Sequence, residues 1–204
     1  MTLIILVRHG QTEWNRKERF RGRADIPLNQ SGLDQAEATA AWIAARWQPM
    51  AIYASPLSRA MQTAQAAARY FELPVQPLPG LIDIDYGEWQ GLTPEEAEQG
   101  WQEQVYNWYQ APENALIPKG ETLQNLRTRL MNTLNGLCAK HPQETILVVG
   151  HTVVNRVLLL GVLGLGNDRF WRIRQDTCAI NLIEWDGKEY TLVSMNDTCH
   201  LVKL

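Results

Sequence analysis

Apolar positions along the chain fall into two alternating kinds of segment. Residues 3–7 (LIILV), Ala51–Ala54 (AIYA) and residues 145–149 (TILVV) are short, unbroken apolar runs rich in branched side chains. Runs of that length and composition predict strands buried on both faces, as in a parallel sheet. Between them the apolar residues recur at helical spacing. Leu33, Ala36, Ala40, Ile43, Ala44 and Trp47 form one stripe. Leu57, Ala60, Met61, Ala64, Ala67, Ala68 and Phe71 form a second, and Leu123, Leu126, Leu130, Leu134 and Leu137 a third. Each stripe lies on one helical face that must be covered. Strands alternating with amphipathic helices predict a three-layer α/β/α domain around a mostly parallel sheet.

Two stretches break this rhythm. Residues 179–185 (AINLIEW) and 190–195 flank Asp186-Gly187, a hairpin signal, so an antiparallel hairpin is expected to end the sheet. The segment at about 78–120 is rich in Pro, Gly, Trp and Tyr. It contains Thr93-Pro94-Glu95-Glu96, a helix start with Thr93 as cap, Pro94 at the first position and Glu96 closing a capping box. This segment reads as a lid or insertion over the sheet edge, inside a single domain spanning residues 1–204. Residues 161–166 (GVLGLG) superficially resemble a phosphate loop, but they follow a helical pattern and no Lys-Ser/Thr comes after, so they read as a helix end.

Composition narrows the function classes. The 204 residues are 45% hydrophobic and 20% charged, with 19 Lys+Arg against 22 Asp+Glu. A net charge of −3 signals neither nucleic acid nor an anionic membrane as partner. Cys138, Cys178 and Cys199 are widely spaced and form no CxxC, so reduced thiols are expected. The first apolar run is too short for a membrane span and lacks the basic leader and cleavage site of a signal peptide. A soluble cytoplasmic protein is the expectation.

The chemistry lies just after the strands. Arg8-His9-Gly10 follows the first run, Ser55-Pro56-Leu57-Ser58-Arg59 the second, and Gly150-His151-Thr152 the third. Ligands of open α/β sheets bind outside the carboxyl ends of the strands. Two imidazoles and two guanidiniums brought to one rim would hold a tetrahedral dianion. A histidine among those cations is kept neutral and is free to attack phosphorus. No HExxH or EF-hand ligand set is present, and no metal or cofactor is expected. Residues 81–91 (LIDIDYGEWQG) supply Asp83, Asp85 and Glu88 in an apolar setting that raises a carboxyl pKa, as a proton donor requires. His141, before Pro142, reads as a loop histidine without a role.

Residues 7–15 (VRHGQTEWN) resemble the signature of the histidine phosphatase superfamily, the phosphoglycerate mutase-like enzymes. Residues 55–64 (SPLSRAMQTA) resemble its second motif and 149–151 (VGH) its third, so the resemblance covers nearly the whole chain. It implies the phosphoglycerate mutase-like fold, a phosphohistidine on His9, and a phosphoryl group held by Arg8, Arg59 and His151. Asn15 is expected to brace the phosphate pocket. Relatives typically carry Glu at the position of Asp83, which is taken as the donor over Asp85 and Glu88. Arg21 stands where they commonly carry Gln, and its charge favours an anionic substrate.

The mutases of the superfamily are longer, and residues 85–91 (DYGEWQG) resemble the phosphatase version. The expectation is therefore a phosphatase for a small phosphorylated metabolite. Residues 150–156 (GHTVVNR), 169–171 (RFW) and 196–201 (NDTCHL) are similar to metal-independent phosphoserine phosphatases. That likeness places Cys199 and His200 near the substrate pocket, with Tyr86 where those enzymes tend to have His. α-Ribazole and broad-specificity phosphatases share parts of the same motifs. After them come a phosphoglycerate mutase and, on the strength of the altered acid alone, an inactive phosphate-binding module. Apolar residues near 101–109, or on the terminal hairpin, are candidates for a homodimer surface.

Overall fold

The computed structural model describes residues 1–201. Each predicted apolar run is a strand: β1 (Thr2–Arg8), β2 (Ala51–Ala54) and β4 (Thr145–Gly150), joined by a short β3 (Val75–Pro77). β5 (Ile180–Trp185) and β6 (Tyr190–Asp197) complete a six-stranded sheet in the order β3-β2-β4-β1-β5-β6. The first four strands are parallel; β5 runs antiparallel to β1, and β6 to β5. Between β5 and β6, Asp186 Oδ1 accepts from the backbone N–H groups of Lys188 and Glu189, and Gly187 takes a φ of +105°. The expected hairpin is present.

The continuous apolar runs are needed because alternate residues serve different layers. Ile4, Leu6, Tyr53, Ile146 and Val148 face one side, and Ile5, Val7, Ile52, Leu147 and Val149 the other. The second side is covered by α2 (Gln30–Ala44) and α3 (Ser58–Phe71), whose alanines Ala36, Ala40, Ala60, Ala64 and Ala67 let the helices approach closely. The first side carries α5 (Leu123–Lys140), α6 (Thr152–Val162) and the 78–120 segment with α4 (Pro94–Gln110). Leu81, Ile84, Tyr86, Trp89, Val105 and Trp108 from that segment share one core with Leu126, Leu130, Leu158 and Phe170. No helix among the described residues is long and apolar enough to cross a membrane.

Local signals match the elements they predict. Thr93 and Glu96 close their capping box around Pro94. Gly164, at φ +66°, follows the end of α6, so residues 161–166 do terminate a helix. Two expectations shift. Leu33 was placed on a buried stripe but is 42% exposed, because α2 meets the sheet through its small residues instead. His141 is buried: its ring bonds the Tyr53 hydroxyl (2.8 Å) and Glu144 Oε2 (2.7 Å), and its carbonyl accepts from Thr2 Oγ1 (2.7 Å). It fastens β1, β2 and the end of α5 at the end of the sheet away from the motif loops.

The packing sets a stability contrast. Leu130→Ala, at a site with no exposure, should cost about 2–5 kcal/mol. Leu33→Ala should stay within about 0.5 kcal/mol. Urea unfolding of both variants measures the difference, and equal losses would contradict the packing described.

Candidate active site

The site begins with strand register. β1 and β4 are neighbours, and Arg8 pairs with Gly150, so the residues that follow, His9 and His151, emerge side by side. His9 N–H donates to the Gly150 carbonyl (3.0 Å), and the two rings meet edge to face with centroids 5.2 Å apart. Gly10 is required by close approach: a Cβ there would lie 2.5 Å from the Gly32 carbonyl oxygen. Its N–H donates to Thr63 Oγ1 (3.1 Å), tying the turn to α3.

Arg59, in the first turn of α3, is fully buried and reaches across the strand ends. Its Nε donates to His151 Nδ1 (3.2 Å), Nη1 to the Ala24 carbonyl (2.7 Å), and Nη2 to the Gly22 carbonyl (2.8 Å) and Asp83 Oδ2 (3.1 Å). Asp83 Oδ2 also lies 3.6 Å from His151 Nδ1, and Oδ1 accepts from Ile84 N–H (3.0 Å). Arg8 Nη1 donates to the Gln175 carbonyl (2.6 Å). Asn15 caps the short α1 (Glu13–Arg16) reciprocally with Thr12, its Oδ1 accepting from Thr12 N and Oγ1 (2.9 and 2.8 Å).

These contacts fix protonation. His9 Nδ1 lies 2.7 Å from the Gly10 carbonyl, so that nitrogen carries the hydrogen and Nε2 keeps its lone pair. Burial first, then Arg59, His151 and Arg8, hold the His9 pKa well below the usual histidine value. Burial, Arg59, Arg21 and Arg8 do the same for His151, so its approach to Asp83 is a contact with a neutral ring and not an ion pair. With Nδ1 accepting from Arg59, the His151 proton sits on Nε2, which is buried and has no partner among the described residues. Arg8 Nε and Thr152 Oγ1 are unpartnered in the same way. Burial, with Arg21 and Arg156 close by, brings the Arg8 guanidinium down to about 9, which leaves it charged at neutral pH. Burial raises the Asp83 pKa against the opposing pull of Arg59 and Arg21. The result is a neutral imidazole beside cationic donors and a carboxyl inclined to keep its proton. That combination suits transfer of a phosphoryl group.

Beside this cluster is a cavity of about 410 Å³. Of the residues singled out in the sequence, Arg8, Asn15, Arg21, Asp83 and Tyr86 line it, whereas the buried His9, Arg59 and His151 lie behind that lining. Burial and Asp83 push the Tyr86 phenol upward, so it stays neutral. Asp85 and Glu88 are outside the lining: Asp85 caps the Gly87 N–H (2.8 Å), and Glu88 pairs with Lys119.

Cys199 and His200 are not there. They lie against α2, with His200 Nε2 2.9 Å from Thr39 Oγ1 and its ring 5.9 Å from Trp42. Leu201 packs on the apolar cluster of that face and draws the turn after β6 away from the cavity. Sequence reading also missed several residues. Arg156, Gln175, Tyr109 and Trp171 line the cavity, and so does Trp108. Buried Asn155 bridges the two motif strands, its side-chain amide lying within 3.3 Å of the Arg8 N–H and 3.2 Å of the His151 carbonyl. Only the i, i+1, i+4 spacing of Thr152, Val153 and Arg156 signalled a helix face turned to the site. No group of three or more His, Cys, Asp or Glu among the described residues is placed to hold a metal ion.

Residues 4–198 match the model of the histidine phosphatase superfamily, branch 1. The chain belongs to that superfamily. Phosphoserine phosphatase 1 of Hydrogenobacter thermophilus is 32% identical over 98% of this chain and 95% of its own. Among solved structures, phosphoserine phosphatase of Entamoeba histolytica in complex with phosphoserine superposes with a TM-score of 0.90 at 28% identity, covering 99% of this chain and 100% of that one. The α-ribazole phosphatase of Shigella flexneri gives 0.86 at 26% identity over 96% of each chain. The chain is a phosphoric monoester hydrolase of the histidine phosphatase superfamily with a phosphoglycerate mutase-like fold.

The two neutral histidines of this superfamily site make stability depend on pH. Below about pH 6.5 the unfolded chain protonates both while the folded chain does not, so stability falls as pH falls. Each site adds a slope of about 1.4 kcal/mol per pH unit in that range. His151→Gln should remove one such increment from the slope between pH 6 and 5, measured by urea unfolding, and an unchanged slope would count against a neutral His151.

Proposed function

We propose that this hydrolase cleaves small phosphate monoesters without a metal, by transferring the phosphoryl group to His9 Nε2 and then to water. The observation that carries the reading is the cluster itself: a buried, neutral His9 with a free Nε2 lone pair, flanked by His151, Arg8 and Arg59, beside a cavity that Arg8 and Asp83 line. In the first step the N–P bond forms as the P–O bond to the alcohol breaks, and Asp83 gives its proton to the leaving oxygen. In the second step Asp83, now a carboxylate, takes a proton from water attacking the phosphohistidine, and His9 departs with its lone pair. Arg8, Arg59, His151 Nε2 and Asn15 hold the phosphoryl oxygens throughout.

Phosphoserine is the first candidate substrate, on the strength of the relatives named for it. The aromatic wall of the cavity, with Phe20, Tyr86, Trp108, Tyr109, Phe170 and Trp171, supports α-ribazole phosphate as a second.

Two outcomes test the mechanism. His9→Ala should abolish turnover, and wild-type protein quenched with labelled substrate should carry an acid-labile, base-stable phosphoryl group. Full activity in that variant would sink the reading. Asp83→Asn should slow phosphoserine hydrolysis about 100-fold or more, yet slow p-nitrophenyl phosphate, whose leaving group needs no proton, by about 10-fold or less. The wild-type rate on phosphoserine should fall as pH rises through the raised Asp83 pKa, and the Asn variant should lose that alkaline limb.

A further inference from the structure

α6 is apolar on nearly every side, and eight of its eleven residues are buried. Arg156 is the exception with a charge. It lies one turn beyond Thr152 and, with Thr152 and Val153, lines the cavity. Its guanidinium carbon sits over two rings, 5.1 Å from the Phe170 centroid and 5.0 Å from that of Trp171. Its Nε is buried with no hydrogen-bond partner among the described residues. Asp176, the carboxylate whose charge reaches it, is itself held by Arg174 (2.9 Å) and Asn196 (2.8 Å).

Two carboxylates line the cavity: Asp83, engaged by Arg59, and Glu18, whose charge acts on Tyr109 and which forms no ion pair with Arg156 or Arg21 among the described residues; Arg19 is paired with Glu96 (2.9 Å). Among the described residues Arg21 donates only to the Trp14 carbonyl, at 3.3 Å. A phosphoryl dianion bound at His9 would be matched by Arg8 and Arg59, which leaves Arg21 and Arg156 as cations without an anion. A guanidinium kept in a partly desolvated, aromatic place gains most from a bidentate oxyanion.

We propose that Arg156 is a specificity-determining residue that binds a carboxylate on the leaving alcohol, so that the substrates are phosphorylated hydroxy or amino acids. This rests on the hydrolase reading above and narrows it: phosphoserine and phosphoglycerate fit, whereas neutral polyol phosphates and α-ribazole phosphate lack the group that Arg156 receives. Phe170 and Trp171 fix the guanidinium from below, and α6 fixes its distance from His151, so the carboxylate and phosphoryl ends of one short molecule are read by the same helix.

Matched substrate pairs test the assignment. O-phosphoserine and O-phosphoethanolamine differ by the carboxylate alone; 3-phosphoglycerate and glycerol 3-phosphate differ by a carboxylate against a hydroxymethyl group. Wild-type protein should favour the carboxylate member of at least one pair by about 10–100-fold in kcat/KM, the range expected for a charged hydrogen bond. Arg156→Met should erase that preference through KM while leaving the carboxylate-free member within about 3-fold. Arg156→Lys, which keeps the charge and the stem packed on the rings, should restore part of it and serves where the Met variant does not fold. Equal use of both members by the wild type, or a parallel loss on both in the variants, would overturn the carboxylate assignment. Phosphate release from no ester at all, p-nitrophenyl phosphate included, would overturn the hydrolase reading and this one with it.

Discussion

Arg59 is the constraint on which the site depends. A fully buried guanidinium is costly unless its donors find acceptors, and here Nε, Nη1 and Nη2 all do. Those acceptors belong to three separate parts of the chain: the loop after α1, the loop that carries Asp83 and the start of α6. One side chain therefore holds the Gly22–Ala24 backbone, the acid and the second histidine in fixed relation. Removing it would take a donor from the Asp83 carboxyl and from three other acceptors, so the geometry of Asp83 and His151 is not separable from the ion that orients them.

The electrostatics follow from that enclosure. Cations packed around His9 and His151, together with burial, keep both imidazoles neutral, while burial overrides the same cations at Asp83 and raises its pKa. Groups of opposite type are thus pushed in opposite directions: the histidines toward the form that attacks or accepts, the carboxyl toward the form that donates. The positive charge that remains is carried by arginines, which cannot relax by losing a proton at neutral pH. Arg8, Arg21 and Arg156 carry that charge in the cavity lining, so an entering anion would meet it there.

Much of this was legible in the sequence because it is set by short-range rules. Unbroken apolar runs at residues 3–7 and 145–149 announced buried parallel strands, and the residues after a parallel strand necessarily reach one rim. His9, Arg59 and His151 were readable from that alone. Side chains whose role depends on the path of the chain were not. Cys199 and His200 follow a strand whose end lies near the rim, but Leu201 finds the apolar face of α2, and the turn goes with it. Arg156 ends the 150–156 segment without a role legible there, and Gln175 lies in no motif; both line the cavity because α6 and the loop before β5 face it together with the folded 78–120 segment. Leu33 shows the same limit at smaller scale: periodicity identifies a stripe, but alanine spacing decides which edge of it meets the sheet.

Asp at residue 83, where the family resemblance leads one to expect Glu, fits this picture. A shorter side chain holds its carboxyl nearer the backbone, and Oδ1 accepts from the adjacent Ile84 N–H while Oδ2 faces Arg59. The acid is thereby pinned at both oxygens and has less reach toward a leaving group. A substrate anchored at its far end would offset that lost reach, since holding the carboxylate at Arg156 fixes where the ester oxygen lies relative to Asp83. The shortened acid and the unpaired cavity arginine are then two sides of one arrangement: the less the acid can adjust to the substrate, the more the substrate must be held for the acid.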